Sequence, residues 1–258
     1  MMRILSLLCC TCFLLTGVVC AEENSHVAAE KPHTAHEKSH WGYTGEGEPN
    51  VWGMLSPQFE RCSKGQNQSP INITRSINAD LQPIGFDYAT RTTEIWNNGH
   101  TIQANYSAGS NITLEGNNFE LKQFHFHASS EHQINGKYFP LEVHLVHANA
   151  QGNLAVVGIM FEIGAQNTTL DQIIQKMPQY TNEKQALTSI NATALLPESK
   201  SYYRYNGSLT TPPCSEGVRW VVMKNPITAS QSQMDAFSKV MHKNNRPIQP
   251  LNARPILH

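Results

Sequence analysis

Charged side chains are scarce in this sequence, at 15% of 258 residues, and the two signs nearly cancel to a net charge of −1. A chain without a basic excess has little with which to hold a phosphate backbone or an acidic surface, so nucleic acid is not expected as a partner. Long heptad patterns are missing too, while the 16 glycines and 14 prolines favour strands and turns. Only one long apolar run occurs, Ile4 to Val19. It follows Arg3, ends in small residues and is too short to span a bilayer comfortably. It reads as a signal peptide over residues 1–21, Val19-Cys20-Ala21 fitting the small-x-small rule, with the mature chain starting at Ala21 or Glu22. Lipid attachment at Cys20 fits less well, because Val18 and Val19 precede it where a small residue is wanted. The protein is therefore expected to be exported, to a periplasm or outside the cell, without a stable membrane span.

Cysteine nearly disappears with the signal, since Cys9, Cys10, Cys12 and Cys20 all lie in it. That leaves Cys62 and Cys214, which an oxidising compartment favours as a disulfide; two free buried thiols are the alternative. Residues 22–39 lack large apolar side chains and are rich in Glu, Lys, Ala and His, the composition of a disordered linker. Their histidines, His26, His33 and His36, together with His40, read as a solvated tail, with proton buffering or zinc capture as the alternative.

From His40 to His258 there is no further composition break and no repeat, so one domain is expected over 40–258. Short strand signals recur at Glu94–Trp96, Ile102–Tyr106, Phe119–Ala128, Leu141–Ala148, Ala155–Ile163 and Arg219–Met223, with Asn97-Asn98-Gly99 and Asn135-Gly136 as turns joining such strands. Helix signals are few: Thr169–Lys176, and Ala229–Lys243, where Met234, Phe237, Val240 and Met241 share a face. The expected fold is mainly β (α+β): a large, mostly antiparallel, twisted central sheet flanked by short helices.

The segment Gln123-Phe124-His125-Phe126-His127 alternates with period two, so on a strand both imidazoles point to one face and both phenyl rings to the other. Glu142-Val143-His144 repeats the device. Three neutral imidazoles with a fourth position open is the arrangement of a catalytic zinc, although imidazole also suits cobalt and copper. Each ligating ring needs an acceptor for its second nitrogen, and Gln123 and Glu142, two residues from a ligand on the same face, are the candidates.

Around these residues the sequence resembles the α-class carbonic anhydrases. The resemblance runs from His40-Trp41-Gly42-Tyr43 through Gln68-Ser69-Pro70-Ile71, Asn97-Asn98-Gly99-His100, Ser130-Glu131-His132, Glu142 to His147 and Gly207 to Pro213, ending at Arg246-Pro247-Ile248-Gln249-Pro250-Leu251. It implies a lyase that reversibly hydrates carbon dioxide to bicarbonate and a proton, by attack of zinc-bound hydroxide. His125, His127 and His144 are the implied zinc ligands. Thr210 accepts the hydroxide's hydrogen bond and donates its own hydrogen to Glu131. Val146, Val156, Leu209, Val218 and Trp220 form an apolar wall for the substrate, and Thr211 contacts bicarbonate. His100 exports the proton, and Tyr43, Asn98 and Gln103 surround the water chain that reaches it. Cys62 and Cys214 occupy the positions of the disulfide in extracytoplasmic relatives.

Other features take plainer readings. His132 and His147 resemble buried structural histidines, while His242 and His258 have no assigned role. Asn72, Asn105, Asn111, Asn167, Asn191 and Asn206 stand in glycosylation sequons. A binding module that had lost catalysis would be expected to lack a zinc histidine, and all are present. A zinc peptidase is disfavoured because no His-Glu-x-x-His helix is expected: the one such spacing, His36 to His40, falls at the end of the linker expected to be disordered. Monomer and homodimer both fit the sequence.

Overall fold

The computed structural model describes residues 40–258; the signal peptide expected over 1–21 and the linker expected over 22–39 lie outside the described residues. In chain order the strands are β1 (Asn72–Ile73), β2 (Gly85–Tyr88), β3 (Thr92–Asn97), β4 (Ile102–Tyr106), β5 (Ser110–Leu114), β6 (Asn117–His127), β7 (Gln133–Ile134), β8 (Leu141–Ala148), β9 (Leu154–Ile163), β10 (Lys184–Ala186), β11 (Tyr202–Ser208), β12 (Glu216–Met223) and β13 (Ile227–Ala229). The helices are α1 (Trp52–Leu55), α2 (Arg61–Lys64), α3 (Thr168–Lys176) and α4 (Gln231–Met241).

One 11-stranded sheet runs β10-β3-β4-β6-β8-β9-β12-β11, with β5 and β2 joined to β6 and β13 to β9. Its pairs are antiparallel except those of β9 with β12 and β13. The mostly antiparallel sheet read from the sequence is therefore the architecture found. Strands β2, β5 and β11 carried no recognised signal, and Ala229 belongs to β13 rather than to the last helix. Asn135-Gly136 does not join two of the anticipated strands. It makes a tight turn inside the β6–β8 connection, where both residues have positive φ, 52° and 78°.

Two apolar layers follow from the alternation, the second of them around Ile71, Met160, Tyr205 and Trp220. Phe124 and Phe126 point into a core that also takes Leu170 and Ile173 of α3 and Met234, Phe237 and Met241 of α4. The ring of Phe237 lies 4.6 Å from that of Phe126. Helix α4 starts where the sequence says a helix can: Ser230 and Gln233 form a reciprocal capping box that satisfies otherwise unpaired N–H groups. In α3 the Asn167 side chain accepts from the N–H groups of Thr169 and Leu170.

Strand β6 carries a bulge that decides which way its histidines face. Leu121 pairs with His147, but Gln123 pairs with Val146, so Lys122 is an extra residue. Phe119 and Leu121 before the bulge, and Phe124 and Phe126 after it, all enter the same core. Without that one-residue reset, the side chains of Phe119 and Leu121 would share a face with His125.

A third cluster gathers Trp41, Tyr43 and Trp52 around Cys62 and Cys214. The two cysteines are joined in a disulfide, with Cα atoms 5.0 Å apart. The Trp52 indole donates to the carbonyls of Gly42 and Gly47, which fixes the entering chain beside the sheet.

Candidate active site

The cross-strand register gathers the imidazoles. His125 of β6 pairs with His144 of β8, and His127 pairs with Glu142. On the other side of β6, Gln103 pairs with His125. His127 and His144 are 1% exposed, whereas His125 is only partly covered.

Each ring has one nitrogen engaged. His125 Nδ1 meets Gln123 Oε1 at 2.8 Å, His127 Nδ1 meets the carbonyl of Asn244 at 2.8 Å, and His144 Nε2 meets Glu142 Oε1 at 2.8 Å. All three acceptors are oxygens, so each engaged nitrogen carries the hydrogen. The lone pairs are left on Nε2, Nε2 and Nδ1 respectively. Ligand atoms of the three rings come within 4.8 Å of one another. His127 Nε2 is buried with no hydrogen-bond partner, a costly arrangement unless something electrophilic meets it. Burial lowers the basicity of every ring: it takes His127 down to about 4, His125 well below the usual histidine value, and His144 down as well. The rings are therefore neutral donors at neutral pH, and the set fits a divalent cation that prefers imidazole. His132, Glu142 and His144 also stand close enough to hold an ion, but their facing atoms are already hydrogen-bonded to one another.

Glu142 and Glu131 are both fully buried, and their carboxyls are shifted in opposite directions. Burial opposes charge on Glu142, yet His132 and His144 and their hydrogen bonds hold its carboxyl well below the usual carboxylate range. Its Oε2 also receives the backbone N–H groups of Glu131 and His132 at 2.8 and 2.9 Å. For Glu131, burial dominates and pushes the carboxyl up to about 7, against the pull of His144, the Arg246 N–H and the Thr210 hydroxyl. Glu131 Oε1 accepts from Arg246 N at 2.8 Å. Its Oε2 has no partner of good geometry and faces His127 Nε2 at 3.5 Å. Thr210 is 5% exposed, and Thr211 beside it is half-buried.

The residues anticipated as a substrate wall come together. Val156, Val218 and Trp220 share one buried cluster, with Val146 and Leu209 packed against it. Val156 sits between Val146 and Trp220 in the register. The Trp220 ring lies 4.8 Å from that of His144, and its Nε1 donates to the carbonyl of Ser208.

His100 stands farther out, at the rim. Its ring stacks on Trp41, centroids 3.7 Å apart and nearly parallel. His40, Tyr43, Asn98 and His242 line the same cavity of about 610 Å³. Burial, and then the neighbouring His40, lower the His100 pKa. Asn98 holds the turn, its Oδ1 accepting from the N–H groups of His100 and Thr101, and its Nδ2 reaches Gln103 Oε1 at 3.4 Å. Asn98 thus links the turn that carries His100 to Gln103, the strand position opposite His125.

Three contributors were not found by sequence reasoning. Asn244 supplies the acceptor for His127 through its backbone carbonyl, which no side-chain pattern announces. Arg246 is 1% exposed and donates to Gln68 Oε1 and to the carbonyls of Ser69 and Cys62, while its N–H reaches Glu131. Gly158 lies opposite His144, where an added Cβ would stand 2.9 Å from Glu142 Oε1. The smallest residue leaves that space open.

A family model described as eukaryotic-type carbonic anhydrase matches residues 47–258. A carbonic anhydrase of Pectobacterium atrosepticum is 51% identical over 227 residues, covering 87% of this chain and 93% of that protein. The solved α-carbonic anhydrase of Thermovibrio ammonificans, in complex with the inhibitor sulfanilamide, superposes with a TM-score of 0.84 at 47% identity, covering 85% of this chain and 99% of that one. The Photobacterium profundum α-carbonic anhydrase gives 0.81 at 48% identity, covering 85% and 100%. With the same sheet, the same run of motifs and matches of this extent, the chain belongs to the eukaryotic-type, or α, carbonic anhydrase family of lyases.

Proposed function

We propose that the protein hydrates carbon dioxide reversibly to bicarbonate and a proton, using a zinc ion held by His125, His127 and His144. The observation that carries this reading is the convergence of three ring nitrogens left free by their own hydrogen bonds, one of them buried without any partner. Zinc at such a site supplies a Lewis acid that makes water acidic enough to act as a nucleophile near neutral pH.

The chain's own residues do the rest. Thr210, beside the Glu131 carboxyl, gives its hydroxyl hydrogen to that group and is left as an acceptor only. An attacking oxygen must then turn its hydrogen toward Thr210 and a lone pair toward the wall. Carbon dioxide is apolar, so Val146, Val156, Leu209, Val218 and Trp220 suit it better than hydrogen-bond donors do. In this reading Thr211 contacts the bicarbonate product. His100 takes up the proton at the rim and passes it to buffer, and Tyr43, Asn98 and Gln103 order the water between.

Export fits the apolar run over Ile4 to Val19 and the disulfide, and among the described residues no helix is long and apolar enough to cross a membrane. Metal analysis with stopped-flow hydration tests the proposal. Stoichiometric zinc and fast turnover are expected, both lost in His144→Ala. Turnover that survives chelation or this substitution would overturn the reading.

A further inference from the structure

Behind the ligands, buried hydrogen bonds continue well past Glu142. His132 Nδ1 also meets Glu142 Oε1 at 2.8 Å, and His132 Nε2 meets the Tyr205 hydroxyl at 2.6 Å. That hydroxyl lies 2.8 Å from Ser69 Oγ, which accepts from the N–H of Ser208 at 3.1 Å. Ser69, His132 and Glu142 are 0% exposed and Tyr205 is 2% exposed, so water does not compete with these bonds.

The direction of every bond follows by elimination. Glu142 Oε2 faces two backbone N–H groups, which can only donate. With the carboxylate accepting there, its Oε1 accepts from the two ring nitrogens that face it, so His132 carries its hydrogen on Nδ1 and His144 on Nε2. A neutral His132 ring then presents a lone pair at Nε2, and Tyr205 donates to it. The Tyr205 oxygen is left to accept from Ser69. The hydrogens run one way, from Ser69 through Tyr205 and His132 to the carboxylate that holds His144.

We infer that Tyr205 is a positioning residue for the metal centre: by tethering the far nitrogen of His132 it fixes the ring that steadies Glu142, and hence His144. This rests on the reading of His144 as a zinc ligand. Removing the hydroxyl leaves His132 held at one end only, in a buried site with an unpaired nitrogen. Direct acceptors of ligating histidines change metal affinity by roughly 10- to 100-fold. One link farther out, Tyr205→Phe is expected to speed zinc release by a few-fold, up to about 10-fold.

The protein contains its own control. Tyr88 meets His147 Nε2 at 2.9 Å, and the other nitrogen of His147 faces the Ala155 carbonyl at 3.3 Å. Tyr88→Phe therefore deletes the same group from the same kind of buried pair, with no hydrogen bond onward to a ligand. The experiment measures zinc release from the full, zinc-loaded protein into excess chelator, together with the NMR signals of the histidine ring hydrogens. Tyr205→Phe should release zinc faster than both the parent and Tyr88→Phe, and should shift the ring-hydrogen signals of His132 and His144. Tyr88→Phe should lose stability but keep the parent's release rate. If Tyr205→Phe is too unstable to purify, Ser69→Ala, which removes the donor to Tyr205 and the acceptor of the Ser208 N–H but leaves the Tyr205–His132 bond, is expected to show a smaller acceleration. Release from Tyr205→Phe, or from Ser69→Ala in its place, no faster than from Tyr88→Phe overturns the inference. A parent protein that binds no zinc would instead sink the metal reading itself.

Discussion

Glu142 holds His144 by the ring nitrogen that faces away from the other two imidazoles, at 2.8 Å, while four donors in all converge on its carboxylate. A neutral amide cannot accept from all four. Glu142→Gln should weaken zinc binding about 10- to 100-fold, measured by competition with a chromogenic chelator. Unchanged affinity would show that the carboxylate's charge is irrelevant to His144.

Gly158→Ala tests the space that Glu142 occupies. The new methyl would lie 2.9 Å from Glu142 Oε1, 3.6 Å from Trp220 Cζ3 and 3.7 Å from His144 Cδ2. Overpacking of this kind costs about 1–3 kcal/mol. A lower urea midpoint and faster zinc loss are expected together. A variant as stable as the parent would mean that the sheet yields there at no cost.

His100→Ala should slow turnover in weak buffer by about 10- to 100-fold, toward the low side of what positioned acid–base groups contribute, because imidazole added to the medium can substitute. A base works only while neutral, so its contribution fades as the pH falls through its pKa. Burial lowers that pKa, so the acidic limb should lie below the ordinary histidine value of about 6.5. Stopped-flow profiles with and without imidazole check both points, and equal rates in the two buffers would remove His100 from the pathway.

His147 should make the protein acid-sensitive. Burial takes its pKa down to about 3, so between that value and about 6.5 the unfolded chain binds a proton there that the folded chain does not. Stability then rises with pH across this window, by up to about 1.4 kcal/mol per unit from this residue, and is lost on acidification. Urea unfolding between pH 4 and 6.5 gives the slope, and an NMR titration shows whether the His147 ring stays neutral. A ring that titrates near 6.5 contradicts the prediction.

Reducing the disulfide should cost about 5 kcal/mol in the chain-entropy view, since it closes a loop across 152 positions. The Thr210 segment keeps other anchors: Cys214 N–H donates to the Thr211 carbonyl at 2.9 Å, and Gln68 Nε2 to the Cys214 carbonyl at 3.1 Å. Paired Cys62→Ala and Cys214→Ala substitutions should therefore lower the unfolding midpoint far more than they lower turnover in the folded protein.

How far the sequence announced all this depends on the kind of signal. Gln123 to His127 and Glu142 to His144 were legible because period-two alternation is written in side chains, and the acceptors Gln123 and Glu142 lie on the same strands as their partners. His127 was only half legible, because its partner is a backbone oxygen 117 positions away. The bulge at Lys122 was overlooked, although the apolar parity changes from Phe119 and Leu121 to Phe124 and Phe126. Strand β2 was missed because it is only four residues long and starts on a glycine, and β11 because its exposed and buried residues do not alternate cleanly. The part of the site carried by motif resemblance alone, Thr210 with Glu131, reflects a contact between distant loops that no local pattern encodes.

Asn244 and Arg246 have a consequence for the order in which the protein can be completed. His127 leaves the ribosome well over 100 residues before the carbonyl that aligns its ring, and Glu131 waits 115 positions for the Arg246 N–H. Strands β6 and β8 can pair earlier, but the His127 ring and the Glu131 carboxyl are held as seen only once Asn244 and Arg246 have been made. A chain cut before Asn244 would therefore keep all three imidazoles yet lack the oxygen that aligns one of them, more than a hundred residues upstream.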